Sequence, residues 1–124
     1  MTTPAENRPL RVAVVGPCTA GKSTLAAALR AAGYEARQPA QEHSYVLDMW
    51  QKITQPDILI YLDVDYENTV ARRPHNPGSP ERHQEQQRRL AHARQHCDLY
   101  LDTNCLSPQQ IQASALALLR ERQN

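Results

Sequence analysis

The sequence predicts one α/β domain, in which helices cover both faces of a small parallel sheet of about four strands. Two observations support this prediction. Short apolar runs alternate with helical patterns along almost the whole chain, the order expected of a parallel sheet. A glycine-rich loop also stands directly between the first apolar run and the first helical pattern, at the edge where such sheets bind ligands.

The bulk properties of the chain limit its organisation and its partners. A length of 124 residues is enough for one hydrophobic core. Residues 1–9 contain two prolines and no periodicity, so we expect a disordered tail followed by a single domain over residues 10–124. The net charge of +1 gives no electrostatic reason to expect nucleic acid or a membrane as partner.

Targeting signals and cysteine usage favour a cytoplasmic location. The apolar runs are too short to cross a bilayer, and no hydrophobic segment that could act as a secretory signal follows the N-terminus. The three cysteines, Cys18, Cys97 and Cys105, form no even disulfide framework. A reducing compartment is therefore expected.

The first strand and the first helix are the clearest local predictions. Residues 10–15 are mostly apolar and β-branched, as in a buried parallel strand. Residues 22–32 place alanine and leucine at helical spacing, and Gly33 follows where a left-handed C-cap is expected. Residues 34–40 form a weaker strand candidate, and the apolar spacing over residues 44–53 predicts a helix.

The second half of the chain continues the alternation, and its turn and capping residues mark the boundaries. The predicted order is a strand over residues 58–62, a short helix from the cap Asp65 to residue 73, a loop over residues 74–80, a long polar helix opened by Ser79 and Pro80 and reaching about residue 96, a strand over residues 99–101, and a final helix opened by the capping box Ser107-Pro108-Gln109-Gln110.

The glycine-rich loop carries the strongest functional signal. Gly16, Gly21, Lys22 and Ser23 complete the pattern G-x-x-x-x-G-K-[ST]. The glycines let backbone N–H groups point at phosphate oxygens, and the following helix adds its positive N-terminal end. Lys22 can reach the β- and γ-phosphates, and the Ser23 hydroxyl can ligate Mg²⁺. The predicted triphosphate-binding residues are Gly16, Thr19, Ala20, Gly21, Lys22, Ser23 and Thr24.

With this loop in place, the chain resembles the nucleoside and nucleotide kinase group of P-loop phosphotransferases. Residues 56–65 resemble the late strand of those kinases, Arg72 and Arg73 precede a lid-like segment over residues 74–82, and residues 98–108 resemble their final strand and last helix. The resemblance implies a three-layer α/β/α P-loop NTPase fold. It also implies ATP and Mg²⁺ as cofactors and transfer of the γ-phosphate to a small acceptor such as a nucleoside or nucleotide.

The chain departs from that group in one region. Such kinases usually carry a further strand–helix unit that contains the acceptor-binding region, whereas here Gly33 leads almost at once to Gln41-Glu42-His43-Ser44. This tetrad resembles the Glu-Arg-Ser motif of deoxynucleoside kinases, with His43 in the arginine's place. We interpret residues 34–41 as the carboxylate-bearing strand beside the first strand, with the acceptor module trimmed away. The acceptor, the base preference and the oligomeric state stay undetermined by sequence.

Phosphoryl transfer needs a carboxylate near the metal or the attacking oxygen, and cations over the transferred group. Glu42 is the first candidate for the carboxylate, either as a base or as a metal ligand together with Ser23. The alternatives are that Glu42 is a surface residue that caps the next helix and that Asp63, which ends the strongest strand, is the metal-side acid. Arg72 and Arg73 are the candidate clamp for the phosphates.

The sequence is also compatible with other functions. One alternative is a nucleotide-binding ATPase or switch module with little phosphotransfer, acting with a protein partner. His92 and His96 have a spacing that can hold zinc, but a polar, solvent-facing helix is the preferred interpretation. The arginines at positions 88, 89 and 94 are likewise interpreted as a solvated face and not as a nucleic-acid site.

Overall fold

A computed structural model describes residues 9–123 and confirms an α/β fold with a small, all-parallel sheet. The predicted tail, residues 1–9, lies outside the described residues except for Pro9. The four strands are ordered β2–β1–β3–β4 across the sheet. Their bounds are β1 Arg11–Val15, β2 Glu35–Arg37, β3 Ile58–Asp63 and β4 Leu99–Asp102.

The described part of the chain also contains six α-helices and a short 3-10 helix at Gln41–His43. Among residues 9–123 no helix has both the length and the apolar character needed to span a bilayer. The α-helices are α1 Lys22–Ala31, α2 Met49–Thr54, α3 Tyr66–Arg72, α4 Pro80–Arg89, α5 Ala91–His96 and α6 Pro108–Gln123.

The strand pairing confirms that the strand predicted at residues 34–40 lies beside the first strand. Val12 of β1 is opposite Ala36 of β2 on one side and opposite Ile58 of β3 on the other. Because all neighbours are parallel, their carboxyl ends meet at one edge of the sheet. The loop after Val15 and the segment after Arg37 are therefore brought together at this edge.

Apolar side chains pack on both faces of the sheet, an arrangement compatible with the predicted three layers. On one face, strand residues such as Val14 and Ile60 pack with Leu25 and Leu29 of α1 and with α6. Residues that point the opposite way pack on the other face, since side chains alternate along a strand. That second group consists of Ala13, Val15, Leu59 and Tyr61 with Trp50 of α2, Leu90 and Ala93.

The local capping predictions are confirmed in detail. Asp65 and Ser79 each accept a hydrogen bond from a backbone N–H of the helix that they open. The capping box before α6 is reciprocal: Ser107 N–H donates to Gln110 Oε1 at 2.8 Å, and Gln110 N–H donates to Ser107 Oγ at 3.1 Å. Gly33, with φ 99°, follows the end of α1 as expected of a left-handed residue.

The prediction of a helix over residues 44–53 is wrong for the first half of that range. Helix α2 begins only at Met49, and Tyr45 is 84 % exposed. Side chains compete for the backbone groups that a helix would need. Ser44 Oγ accepts from Val46 N–H at 3.0 Å, and the buried Gln41 side chain bonds both the Val46 carbonyl oxygen and the Trp50 N–H.

The long helix predicted from Pro80 to about residue 96 is interrupted at Leu90. Gln41 Nε2 donates to the Arg89 carbonyl oxygen at 3.0 Å at the interruption, and Leu90 is fully buried. Helix α5, which follows the interruption, is also less solvated than expected, because Trp50 Nε1 donates to His92 Nδ1 at 3.2 Å. The arginine face is partly covered too, since the Arg89 guanidinium lies over the Tyr45 ring.

Candidate functional site

The loop over residues 16–21 connects the end of β1 to the start of α1. Its path needs glycine at the first position, because a Cβ on Gly16 would lie 2.0 Å from the Leu62 carbonyl oxygen of β3. Gly21 has φ 96°, and Thr19 adopts φ 71°, a left-handed conformation that costs a non-glycine residue free energy. The predicted loop thus forms a tight turn at the carboxyl edge of the sheet.

The N-terminus of α1 has no side-chain cap. Gly21 occupies the cap position, no side-chain cap bond is present among residues 9–123, and the first turn contains no acidic residue. Helices α3 and α4, in contrast, are capped by Asp65 and Ser79. A helix end left in this state keeps its N–H groups and its partial positive charge available to an anion.

Lys22 and Glu42 form the centre of the site. Lys22 Nζ lies 2.7 Å from Glu42 Oε1 and donates to the Gly16 carbonyl oxygen at 2.8 Å. Both side chains are almost buried, with exposed fractions of 11 % and 7 %. The structure thus brings together the predicted lysine of the loop and the predicted carboxylate, although 20 positions separate them in sequence.

Glu42 is positioned by its buried neighbour Gln41, and one of its carboxylate oxygens is available to a ligand. Gln41 is fully buried and anchors the 3-10 helix through its bonds to the backbone at Val46, Arg89 and Trp50. Glu42 Oε2 is buried and has no hydrogen-bond partner among residues 9–123. A buried carboxylate oxygen in this state is suited to accept from a ligand or to coordinate a cation.

Ser23 is oriented by a residue that the sequence analysis did not identify. Its Oγ donates to Gln38 Oε1 at 3.0 Å, in the segment between β2 and Glu42. Since the hydroxyl proton is directed at Gln38, the oxygen lone pairs remain for another partner. Ser23, Gln38 and Glu42 line the same cavity, so the two predicted metal ligands share one space.

The two predicted clamp arginines occupy different positions. The Arg72 guanidinium donates to the Thr19 carbonyl oxygen at 2.6 Å and to the Thr103 carbonyl oxygen at 2.7 Å, so it fastens the loop to the end of β4. Arg73 instead lines the cavity of Lys22 and Glu42. Of the two predicted arginines, Arg73 therefore lines this cavity, while Arg72 supports the loop from outside it.

Gln86 of α4 is a second residue that the sequence analysis did not identify, and it holds the loop through two contacts with Cys18. Gln86 Oε1 accepts from Cys18 N–H at 3.1 Å, and Gln86 Nε2 donates to Cys18 Sγ at 3.3 Å. Thr19 Oγ1 donates to Thr69 Oγ1 at 3.2 Å. No local pattern marks Gln86 in a helix with five glutamines or glutamates, because its role depends on a contact 68 positions away.

Asp63 does not line the cavity that contains Glu42. Its Oδ1 accepts from Val64 N–H at 2.9 Å and from Gln87 Nε2 at 3.1 Å, and its Oδ2 accepts from the Tyr100 hydroxyl. These bonds use the carboxylate to join β3, β4 and α4. The arrangement favours Glu42 over Asp63 as the carboxylate beside Lys22.

The Asp63–Tyr100 contact predicts a loss of stability in alkali. Burial and the hydrogen bond to Asp63 raise the pKa of Tyr100 to about 12 from about 10. Between these values the unfolded chain has lost the phenolic proton and the folded chain retains it, so stability falls as the pH rises. Urea unfolding between about pH 8 and about pH 11 should show this fall, and Tyr100→Phe should reduce it. Identical pH dependence in both proteins would contradict the assignment.

Two cavities share the loop as their common wall. The first, about 380 Å³, is polar and contains Lys22, Glu42 and Arg73. The second, about 290 Å³, is bordered by Thr19, Gly21 and Thr24 on the loop side. Its other walls are Leu25, Arg72, Leu106, Pro108, Ile111 and Gln112.

No protein-family model matches the chain, and no curated protein matches it significantly. Function is therefore inferred from the chemistry of this site.

Proposed function

We propose that the protein is a small ATP-dependent kinase of the P-loop type, which transfers the γ-phosphate to a small acceptor such as a nucleoside or nucleotide. The observation that carries this proposal is the almost buried pair of Lys22 and Glu42 at 2.7 Å, next to the uncapped N-terminus of α1. A cation, a carboxylate and free backbone N–H groups in one cavity are the components that phosphoryl transfer requires.

The residues present fit ATP and Mg²⁺. The uncapped helix end and Lys22 suit the triphosphate, and the Ser23 hydroxyl and the Glu42 carboxylate, with its unpartnered oxygen, would hold the cation. When bound, Mg²⁺ neutralises charge on the phosphate oxygens. Arg73 lies in the same cavity and would contact the transferred group.

The second cavity supports a site for the base. It shares the loop with the cavity of Lys22, Glu42 and Arg73 (the phosphate cavity), and its apolar walls are Leu25, Leu106, Pro108 and Ile111. The Arg72 guanidinium is fixed at its border by bonds to Thr19 and Thr103. Apolar contact and a planar cation suit the flat face of a nucleobase.

The proposed reaction is an in-line transfer. The acceptor hydroxyl oxygen forms a bond to the γ-phosphorus, the bond from that phosphorus to the bridging oxygen breaks, and ADP leaves. Glu42 accepts the hydroxyl proton or holds the metal side of the site. Lys22 moves from the Gly16 carbonyl oxygen towards the phosphates, where its charge offsets the charge that develops.

The direct test is transfer of labelled γ-phosphate from ATP with Mg²⁺ into pooled nucleosides, mononucleotides, sugars and small acids. A labelled product that is absent with Lys22→Ala would identify a kinase and its acceptor class.

Glu42→Gln should lower this transfer about a hundredfold or more, because glutamine can neither accept the proton nor match the charge of the carboxylate. ATP affinity should be spared, since the amide oxygen still accepts from Lys22. Glu35→Gln is the matched control, because Glu35 lies on β2 and pairs only with partly exposed arginines in the described structure. Transfer at the wild-type rate by Glu42→Gln would refute the role of the carboxylate.

A second candidate is a nucleotide-binding module that acts with a protein partner. Its support is the apolar segment after the site, where Tyr45 is 84 %, Leu47 is 49 % and Ile53 is 58 % exposed. Exposed apolar groups in one region are typical of protein contacts. Lys22-dependent binding of ATP with no label transferred to any acceptor would favour this candidate.

A further inference from the structure

Three different ligand atoms converge beside the cavity of Lys22 and Glu42, and Cys18 and Glu42 also line that cavity. A ligand atom from each of Cys18, Glu42 and His43 lies within 4.8 Å of the other two. His43 Nε2 is 3.6 Å from Glu42 Oε1. Cys18 comes from the loop after β1, whereas Glu42 and His43 come from the 3-10 helix after β2. The cluster therefore joins two segments that meet only in the folded chain.

We propose that Cys18, Glu42 and His43 form a binding site for a thiophilic divalent cation such as Zn²⁺, and that this ion and the nucleotide exclude each other. A thiolate, an imidazole and a carboxylate are the protein ligands that zinc prefers. Sulfur is a poor ligand for Mg²⁺, so this site is distinct in chemistry from the magnesium site proposed above.

The spacing fits a tetrahedral ion with one open position. Zinc bonds of about 2.0–2.3 Å place neighbouring ligand atoms about 3.3–3.8 Å apart. His43 Nε2 already lies 3.6 Å from Glu42 Oε1, the oxygen that also bonds Lys22, and the unpartnered Oε2 belongs to the same carboxylate. Cys18 needs to move closer by about 1.5 Å at most, a shift within the reach of a loop side chain. Three protein ligands and a fourth position open to solvent are typical of accessible zinc sites.

The ligands have unused coordination capacity. Glu42 Oε2 is buried and lacks a hydrogen-bond partner among residues 9–123, although Lys22 occupies Oε1. The His43 ring is half exposed and accessible to an ion. Cys18 Sγ accepts from the Gln86 amide at 3.3 Å, which leaves a sulfur lone pair for an ion.

Two of the three ligands can balance the charge of a divalent ion, although Lys22 then shares the Glu42 carboxylate with it. On binding, the Cys18 thiol releases its proton to solvent, so that the thiolate and the Glu42 carboxylate neutralise the two charges of the ion. Lys22 and Arg73 remain in the cavity as positive neighbours. They favour an anion, such as hydroxide, at the fourth position.

The exclusion follows from the shared carboxylate and rests on the proposed function. Glu42 cannot hold the thiophilic ion and also serve Mg²⁺ and the transferred phosphate. The ion would also fix Cys18 against the 3-10 helix and narrow the space that the triphosphate needs. Zinc therefore acts as an inhibitor that keeps the loop in its nucleotide-free form.

The site is tested with Co²⁺ as a spectroscopic substitute for zinc, on the reduced full-length chain without nucleotide. We expect one equivalent to bind, with a sulfur-to-cobalt charge-transfer band and with displacement by Zn²⁺. Cys18→Ser should abolish the band, and His43→Gln should weaken the affinity at least about tenfold. Cys97→Ser and Cys105→Ser are matched controls that should retain the band. No band in the wild-type protein, or a band that survives Cys18→Ser, overturns the proposal.

The exclusion is tested by nucleotide affinity with and without Zn²⁺, in the wild-type protein and in Cys18→Ser. Zinc should weaken binding at least about tenfold in the wild-type protein only. Chelation of zinc by the nucleotide affects both proteins equally, so the difference isolates the site. Equal weakening overturns the exclusion. A cobalt band without any nucleotide binding would refute the kinase and leave the metal site established.

Discussion

Lys22→Ala is expected to lower γ-phosphate transfer about a thousandfold or more and to weaken ATP binding. Lys22 has an almost buried ammonium group in the polar cavity, 2.7 Å from Glu42. Arg73 lines the same cavity but lies at the end of α3. It cannot replace Lys22, because Lys22 is the first residue of α1, directly after the loop. The measurement is transfer of labelled phosphate, together with the dissociation constant for ATP by calorimetry.

The same change leaves the Glu42 charge buried without its lysine, which costs about 3 kcal/mol of folding stability. Loss of folding and loss of function must therefore be separated. The double variant Lys22→Ala/Glu42→Gln removes both charges and should fold, as judged by urea unfolding. Compared with Glu42→Gln alone, it should still lose affinity for ATP.

Lys52 provides the matched control, since it and Lys22 are the lysines of this chain. Its side chain is 62 % exposed and pairs only weakly with Asp48 at 3.6 Å. Lys52→Ala should leave transfer and ATP affinity unchanged. Equal ATP affinity in Glu42→Gln and in the double variant would refute a phosphate-binding role for Lys22.

Gly16→Ala is expected to destabilise the fold by about 3 kcal/mol or more. The added Cβ would lie 2.0 Å from the Leu62 carbonyl oxygen and 3.4 Å from the Ala20 Cβ. The first contact is with backbone in the centre of the sheet, so no side-chain rotation relieves it. Either β1 separates from β3 or the loop leaves its path, and the cavity of Lys22 and Glu42 is lost in both cases.

Gly33→Ala is the matched control for this prediction. Gly33 also has a positive φ, 99°, but nothing lies within 4 Å of the Cβ position. Only the strain of the left-handed backbone then remains, about 1–2 kcal/mol. Urea unfolding of the two variants measures the difference. Gly16→Ala with the stability of Gly33→Ala would contradict the steric explanation.

Elements whose causes are local could be predicted from the amino-acid sequence alone. The run of apolar residues over β3, the caps Asp65 and Ser79, the box at Ser107 and the glycine after α1 depend on neighbours within a few positions. The motif from Gly16 to Ser23 is also local, so its position between β1 and α1 could be read directly.

The tertiary structure decided everything that depends on contacts distant in sequence. The interrupted helix at Leu90 and the late start of α2 both follow from the buried Gln41 side chain, which takes backbone bonds 48 and 9 positions away. No periodicity signals this, because a lone glutamine looks the same in a sequence whether it is exposed or buried.

The composition of the site was decided in the same way. Parallel pairing of β1 with β2 brought Glu42 to Lys22, and the bonds of Arg72 to Thr19 and Thr103 left Arg73 as the arginine in the cavity. Two adjacent arginines are equivalent in sequence. At the end of α3 the two side chains point in different directions, so Arg72 supports the loop and Arg73 lines the cavity.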